Sequence, residues 1–383
     1  MKIAFVIANG YAMGGTVRTV YNLARGLSER HEVEIVSLAR RRKAPFFKLP
    51  DGVRLWPLHD HTTEEPTLGA FGRRRWTRRM GSVVPESELK RNQNFSPEAV
   101  SGLHRYLRTT DADVVIGTRP GINLLLAAWA PKRLCLIGQE HLNLNEHKPD
   151  LVKAIERRYR NLDGLSVLTE TDRDAYRRLL RPDADFLTVI PNAVDPGEPT
   201  PSTLDEPVIA AAGRLSPVKQ YPKLVEAFSQ VAAEHPDWSL RIYGSGDRSA
   251  QIEEAARKHG VQDSVKLMGQ TRDLTSELSK ASILGVSSKV EGFGMTIVEA
   301  FSVGLPVVSF DCPHGPGEII EHERTGLLVP PQDTAALGRS LLRLVEDREE
   351  RHRMGAHALE ASSLYQLEGI IPRWEEFFEH HRS

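Results

Sequence analysis

The residues with the clearest chemical signal are Glu291-Gly292-Phe293-Gly294-Met295-Thr296-Ile297-Val298-Glu299. The two carboxylates are eight positions apart. On one continuous helix that spacing is about 800°, about 80° off a shared face. A loop followed by a helix fits better. Glu291 then sits in a glycine-rich turn, where Gly292 and Gly294 admit close backbone approach. Glu299 lies inside a helix that starts near Gly294, and the N–H groups of its first turn, at Met295 and Thr296, face an incoming anion. A helix carboxylate turned to a ligand can accept two hydrogen bonds from a vicinal diol such as ribose. The structural alternative is a capped helix with two solvated acids.

A second cluster is Gly213-Arg214-Leu215-Ser216-Pro217-Val218-Lys219, directly after an apolar run. Two cations stand at the mouth of a sheet, where Arg forks onto phosphate oxygens and Lys acts as a point charge. A third feature, Gly14-Gly15, lies between the first apolar run and a helical pattern. It lets a helix N-terminus approach an anion, although it is neither a G-x-G-x-x-G fingerprint nor a P-loop. His141 follows the run ending Gly138-Gln139-Glu140, placed to donate to a hydroxyl or move a proton. His147 reads as structural. Cys312 and His314 lack a second ligand pair at zinc spacing. The Asp-x-Asp triplets at Asp111, Asp172 and Asp183 read as caps or turns, so no metal site is expected.

The elements that position these residues alternate from end to end. Lys2–Ala8, Val33–Leu38, Asp113–Thr118, Arg133–Gln139, Gly164–Thr169 and Phe186–Pro191 read as buried strands with helical patterns between them. The pattern restarts with Pro207–Ala212, Ser239–Tyr243, Val265–Met268, Ile283–Val286 and Pro306–Phe310. Continuous apolar strands separated by helices predict an α/β fold with parallel sheets covered on both faces. A Pro-rich joint at 196–207 separates two halves. Residues 60–98 fit no clear element and read as an insertion or mobile loop. The aromatics and aliphatics of Tyr365–Glu379 recur at helical spacing.

The chain has 383 residues and a net charge of −1. Residues 1–195 carry a net +8 and the remainder −9. That split predicts two domains with different partners. No apolar run reaches the ~20 residues of a membrane span, and the first residues carry no leader pattern, so a cytoplasmic protein is expected. Two distant cysteines give no disulfide framework.

Together these residues resemble the family-four retaining glycosyltransferases of GT-B fold. The carriers are Gly14-Gly15, Gly213-Arg214 with Lys219, Glu291 with Glu299, and Thr325-Gly326-Leu327-Leu328-Val329-Pro330. The helix bearing Trp374 is similar to the family's crossing helix. The resemblance implies two Rossmann-like parallel-sheet domains facing a cleft: residues 1–195 for the acceptor, a linker at 196–207, residues 208–364 for the nucleotide sugar, and a crossing helix at 365–383. It implies that Arg214 and Lys219 hold a diphosphate, with Gly14, Gly15, Gly294, Met295 and Thr296 also against the donor. Glu299 would take the ribose hydroxyls. Glu291 and His141 would contact the transferred sugar as catalytic residues. Gln220 replaces the Gly that many members carry after the lysine. With the Cys312–Glu318 loop, it is closer to members that glycosylate teichoic acids or other surface polymers.

The implied activity is metal-independent transfer of a hexose or N-acetylhexosamine from a UDP-sugar, a substrate and not a cofactor, to an acceptor hydroxyl. An anionic surface polymer or lipid-linked glycan is the expected acceptor. The alternatives are a nucleotide-sugar epimerase of the same fold, or a transferase for a small secondary metabolite or a protein. The basic runs Arg40–Lys43 and Arg73-Arg74-Arg75-Trp76-Thr77-Arg78-Arg79 predict contact with an anionic acceptor or the inner face of the cell membrane. No nucleic-acid partner is expected.

Overall fold

A computed structural model describes the chain except residues 64–67, 196, 198, 199 and 383. Strands buried on both faces need apolar residues at consecutive positions, and the central strands meet this requirement. In β1 (Lys2–Ile7, KIAFVI) every residue after Lys2 is buried. The described residues form two units, 1–193 with the segment from Leu367 onward, and 194–366.

The first unit is built on a seven-stranded sheet. Its strands are β1, β2 (Glu32–Ser37), β3 (Arg54–Pro57), β4 (Val114–Gly117), β5 (Cys135–Gln139), β6 (Gly164–Val167) and β7 (Leu187–Val189), in the order β3-β2-β1-β4-β5-β6-β7. All neighbouring pairs are parallel. Helix α1 (Gly15–Ser28) follows β1 and buries Val17, Val20, Leu23 and Leu27. The C-terminal helix, Leu367–His381, packs on that face with Ile370, Ile371, Trp374, Phe377 and Phe378. A Cβ on Gly26 would stand 2.6 Å from the Ile371 side chain, so a glycine there lets the two helices approach.

β3 escapes the sequence pattern because it is a four-residue edge strand with no fully buried residue. Its Trp56 Nε1 donates to Glu34 Oε2 at 3.0 Å. The segment 60–98 is not a loop. It holds α2 (Ala70–Gly81), α3 (Glu86–Arg91) and the start of α4 (Pro97–Thr109), while residues 64–67 lie outside the described chain. Its arginines hide the helical pattern, since only Met80 of α2 is fully buried. Further along, α5 (Glu170–Leu180) follows β6.

The second unit is a six-stranded parallel sheet of β8 (Val208–Ala212), β9 (Ser239–Tyr243), β10 (Val265–Gly269), β11 (Ile283–Val286), β12 (Val307–Phe310) and β13 (Gly326–Val329). The order is β10-β9-β8-β11-β12-β13. Residues 196, 198 and 199 of the Pro-rich joint lie outside the described residues. Beyond them, Ser202 N donates to Val303 O at 2.9 Å, and Arg351 Nε donates to Leu204 O at 2.9 Å, so this stretch is pinned to the second unit.

Each sheet changes winding direction once, between β1 and β4 and between β8 and β11. Open α/β sheets take ligands outside the carboxyl ends of the strands at such a point.

Candidate active site

The loops that leave β8 and β11 are neighbours because those strands are paired. The first carries Gly213-Arg214 and Lys219. Gly213 N donates to Tyr243 O at 2.9 Å and Leu215 N to Ser245 O at 3.0 Å, which seats this loop on the end of β9. Gly213 has φ +146°, and a Cβ there would meet Lys219 Cε and Tyr221 Oη at 3.0 Å each. The glycine therefore lets the Lys219 stem cross the backbone. Helix α6 (Tyr221–Glu234) follows.

The β11 loop is stitched onto the β8 loop. Ser287 Oγ donates to Lys219 O at 2.8 Å, and Lys289 N donates to Val218 O at 2.8 Å. Lys219 Nζ lies 2.6 Å from Glu291 Oε1, and Ser288 Oγ donates to the same oxygen at 2.5 Å. Lys219 and Glu291 are both largely enclosed. Gly294, with φ +112°, turns the chain into α7 (Met295–Phe301). Thr296 Oγ1 leans on Ala212 O at 3.4 Å. A small pocket lies between these loops, lined by Lys219, Tyr221, Ser288, Glu291, Gly294 and Thr296.

The loop after β12 closes one side. Gly315, with φ +129°, presses so near Phe293 that a Cβ would stand 2.0 Å from the Phe293 carbonyl oxygen. Only glycine fits that approach. Burial pushes the Cys312 thiol up to about 12, which leaves it a neutral packing group. Among the described residues, no three His, Cys, Asp or Glu side chains cluster to hold a metal. Asp172 accepts from Leu144 N at 2.9 Å and Asp111 pairs with Lys2, so these two triplets are structural.

The structure thus brings Lys219, Glu291, Gly294 and Thr296 to one pocket. Met295 is the first residue of α7, beside them. Arg214 stands exposed on the same β8 loop, and Glu299 is buried in α7. Tyr221, Ser287 and Ser288 were not singled out from the sequence. Ser287-Ser288 follow β11 directly, and that position at a switch-point strand end was the available signal.

The remaining candidates belong to the first unit. Gly14 and Gly15 lie between β1 and α1, and a Cβ on either meets nothing within 4 Å. No packing demand explains these glycines; the space beside them is open. His141 follows β5, half-buried, with its Nε2 enclosed and unpartnered among the described residues. Burial pushes its pKa down to about 4. Beside it, Glu140 is buried, accepting from Asn123 Nδ2 at 2.8 Å and bonded to Tyr159 Oη. Burial pushes this carboxyl up to about 8, so it is predominantly protonated at neutral pH.

The expected contact Trp76 is not an outward anchor. It packs against Trp129 at 5.9 Å and His104 at 5.3 Å, with the Arg79 guanidinium 5.0 Å from its ring centroid. Arg73 pairs with Glu98 at 3.1 Å. Arg74, Arg75 and Arg78 of that run are exposed, without such partners among the described residues.

The family model "Glycosyltransferase Family 4" matches residues 13–198, and "Glycosyl transferases group 1" matches residues 198–361. An exopolysaccharide phosphotransferase of Streptomyces coelicolor is 34% identical over 99% of this chain, which spans 40% of that relative's length. A poly(ribitol-phosphate) alpha-N-acetylglucosaminyltransferase of Staphylococcus aureus is 24% identical over 77% of this chain and 60% of its own. A solved structure of a TarM variant from S. aureus, in complex with Fondaparinux, alpha-GlcNAc-glycerol and UDP, superposes with a TM-score of 0.78 at 17% identity, covering 99% of this chain and 100% of its own. The two family matches, on two Rossmann-like parallel-sheet units, show that this chain belongs to the family-four glycosyltransferases of GT-B fold.

Proposed function

We propose that the protein is a retaining glycosyltransferase that moves a hexose or N-acetylhexosamine from a UDP-sugar to a hydroxyl of a surface polymer or lipid-linked glycan. The observation that carries this reading is the convergence of Lys219, Glu291 and the start of α7 at the switch point of the second unit, with Arg214 on the adjoining loop. UDP in the structural relative, and the polyol-phosphate acceptor named for the S. aureus relative, support the donor and acceptor classes.

Breaking the anomeric C–O bond leaves charge on the β-phosphate. Arg214 and Lys219 meet that charge, and electrostatic stabilisation dominates the rate. Fixed cations supply what a divalent ion otherwise would, so activity is expected to survive EDTA. Glu299 takes the ribose diol. Glu291, once released from Lys219, accepts hydrogen bonds from the donor sugar. It is not assigned as a covalent nucleophile; the departing phosphate deprotonates the acceptor on the same face. In the first unit, Gly14 and Gly15 leave room for the diphosphate, and His141 contacts the transferred sugar.

The test is mass spectrometry on the full chain with a UDP-sugar panel, with and without poly(ribitol phosphate). Acceptor-dependent release of UDP, with retained anomeric configuration by NMR, supports the proposal. Release of UMP signals sugar-phosphate transfer, a different reaction; the Streptomyces relative is named a phosphotransferase. Acceptor-independent conversion of the sugar signals an epimerase. Either result replaces this reading.

A further inference from the structure

Phe71 is 83% exposed at the start of α2. Such a ring in water is a large unburied apolar surface, and its neighbours are specific. Arg74, Arg75 and Arg78 follow at spacings of three, four and seven residues, which places all four side chains on one helix face. The opposite face is occupied. Trp76 meets Trp129 and His104, Arg79 lies over both indoles, Met80 is buried, and Arg73 holds Glu98. The helix is therefore fixed by its inner face, and its outer face shows one phenyl ring and three guanidinium groups. None of the three has an ion-pair partner among the described residues. On α4, which packs against α2, Arg105 and Arg108 are exposed as well.

We propose that the outer face of α2 docks on an anionic lipid bilayer. Phe71 enters the headgroup layer, and Arg74, Arg75 and Arg78 pair with lipid phosphates. A soluble polyanion would satisfy the arginines and leave the phenyl ring in water; a bilayer surface takes both. No helix among the described residues is long and apolar enough to cross a membrane, so the contact is peripheral. This docking rests on the α2 face alone and stands apart from the glycosyl-transfer reading.

The test is sedimentation of the full chain with phosphatidylglycerol or phosphatidylcholine vesicles at low and physiological salt. Binding to phosphatidylglycerol is expected, weakening as salt rises. Each basic residue at an anionic surface contributes about fivefold, so the triple variant Arg74→Gln, Arg75→Gln, Arg78→Gln should lose on the order of a hundredfold. Phe71→Ser should lose about tenfold. All four positions are exposed, and circular dichroism checks that the variants fold. Equal binding to both lipids, undiminished binding by the triple variant, or capture by soluble poly(ribitol phosphate) without vesicle binding overturns the proposal. Unchanged binding by Phe71→Ser overturns the insertion of the ring.

Discussion

Lys219 and Glu291 hold each other: the ammonium lies 2.6 Å from a carboxylate oxygen that also accepts from Ser288. In the proposed mechanism this cation serves the diphosphate. Donor binding must therefore exchange one anion for another at Nζ, and the released Glu291 becomes available to the sugar. The pair is a preassembled part of the site, with two loops locked around it.

Lys219→Ala leaves Glu291 enclosed without its cation, and Glu291→Gln leaves Lys219 without its anion. In the proposed mechanism Lys219→Ala removes a charged hydrogen bond to the diphosphate and Glu291→Gln a charged acceptor for the sugar; each is worth roughly 1.5–3 kcal/mol, so each variant should lose about ten- to a hundredfold in donor affinity. Each should also melt below the parent, and the double variant should lose less than the sum. Arg214→Ala, at an exposed position, should weaken the donor with no change in melting temperature. Additive stability effects at 219 and 291 would show that the pair is not coupled.

Gly15→Ala separates space for a ligand from space for packing. A Cβ at Gly15 meets nothing within 4 Å, and the residue opens α1. Stability should stay constant or rise by up to about 1 kcal/mol, as for Gly→Ala in a helix. On the proposed reading turnover should fall, since the methyl group would take space that the reading gives to the diphosphate. Wild-type kinetics would remove Gly15 from the site.

Gln220 has φ +49°, a left-handed conformation that suits glycine. Its side-chain amide exchanges two hydrogen bonds with Gln332, at 3.0 and 2.8 Å. Gln220→Ala keeps the strain and loses the amide pair. Gln220→Gly loses the pair and relieves the strain. The glycine variant should be the more stable of the two by about 1 kcal/mol in chemical denaturation. The opposite order would mean that the left-handed turn is not strained.

The parallel sheets, the switch-point loops and the Glu291–Glu299 turn were legible because each depends on local chain features: apolar runs, glycine turns, a helix start. What the sequence hid depends on pairing across distance. Lys219 and Glu291 are 72 positions apart, and only the β8–β11 neighbourhood joins them. Trp76 read as a headgroup anchor because its neighbours in sequence are arginines. Its neighbours in space are Trp129 and His104, brought in by other helices. Phe71 was overlooked for the same reason: an apolar residue reads as core until the packed face is known. Glu299 likewise read as accessible, and its burial means that Glu299→Ala costs stability as well as donor affinity.

Glu140 makes the first unit's stability depend on pH in a definite direction. Its unfolded carboxyl titrates near 4.5, and burial raises the folded value to about 8 against the lowering effect of the Tyr159 and Asn123 hydrogen bonds. Tyr176 and Asp172 of the helix Glu170–Leu180, and Glu88 of α3, are the other titratable groups with influence there. Between those two pH values the folded state keeps a proton that the unfolded state releases. Glu140's contribution is thus complete below about 4.5 and is lost as pH rises through about 8. His141, lowered to about 4, acts oppositely: its contribution is present above 6.5 and is lost as pH falls. Glu140→Gln keeps an oxygen for the Asn123 and Tyr159 bonds, leaves His141 in place and removes the ionisation. The difference in melting temperature, Glu140→Gln minus parent, should start small near pH 4.5, grow steadily to pH 8 and then level off. A difference independent of pH would mean that Glu140 is ionised in the folded protein. Burial keeps the His141 imidazole uncharged at neutral pH, able to hydrogen-bond a hydroxyl without presenting a cation.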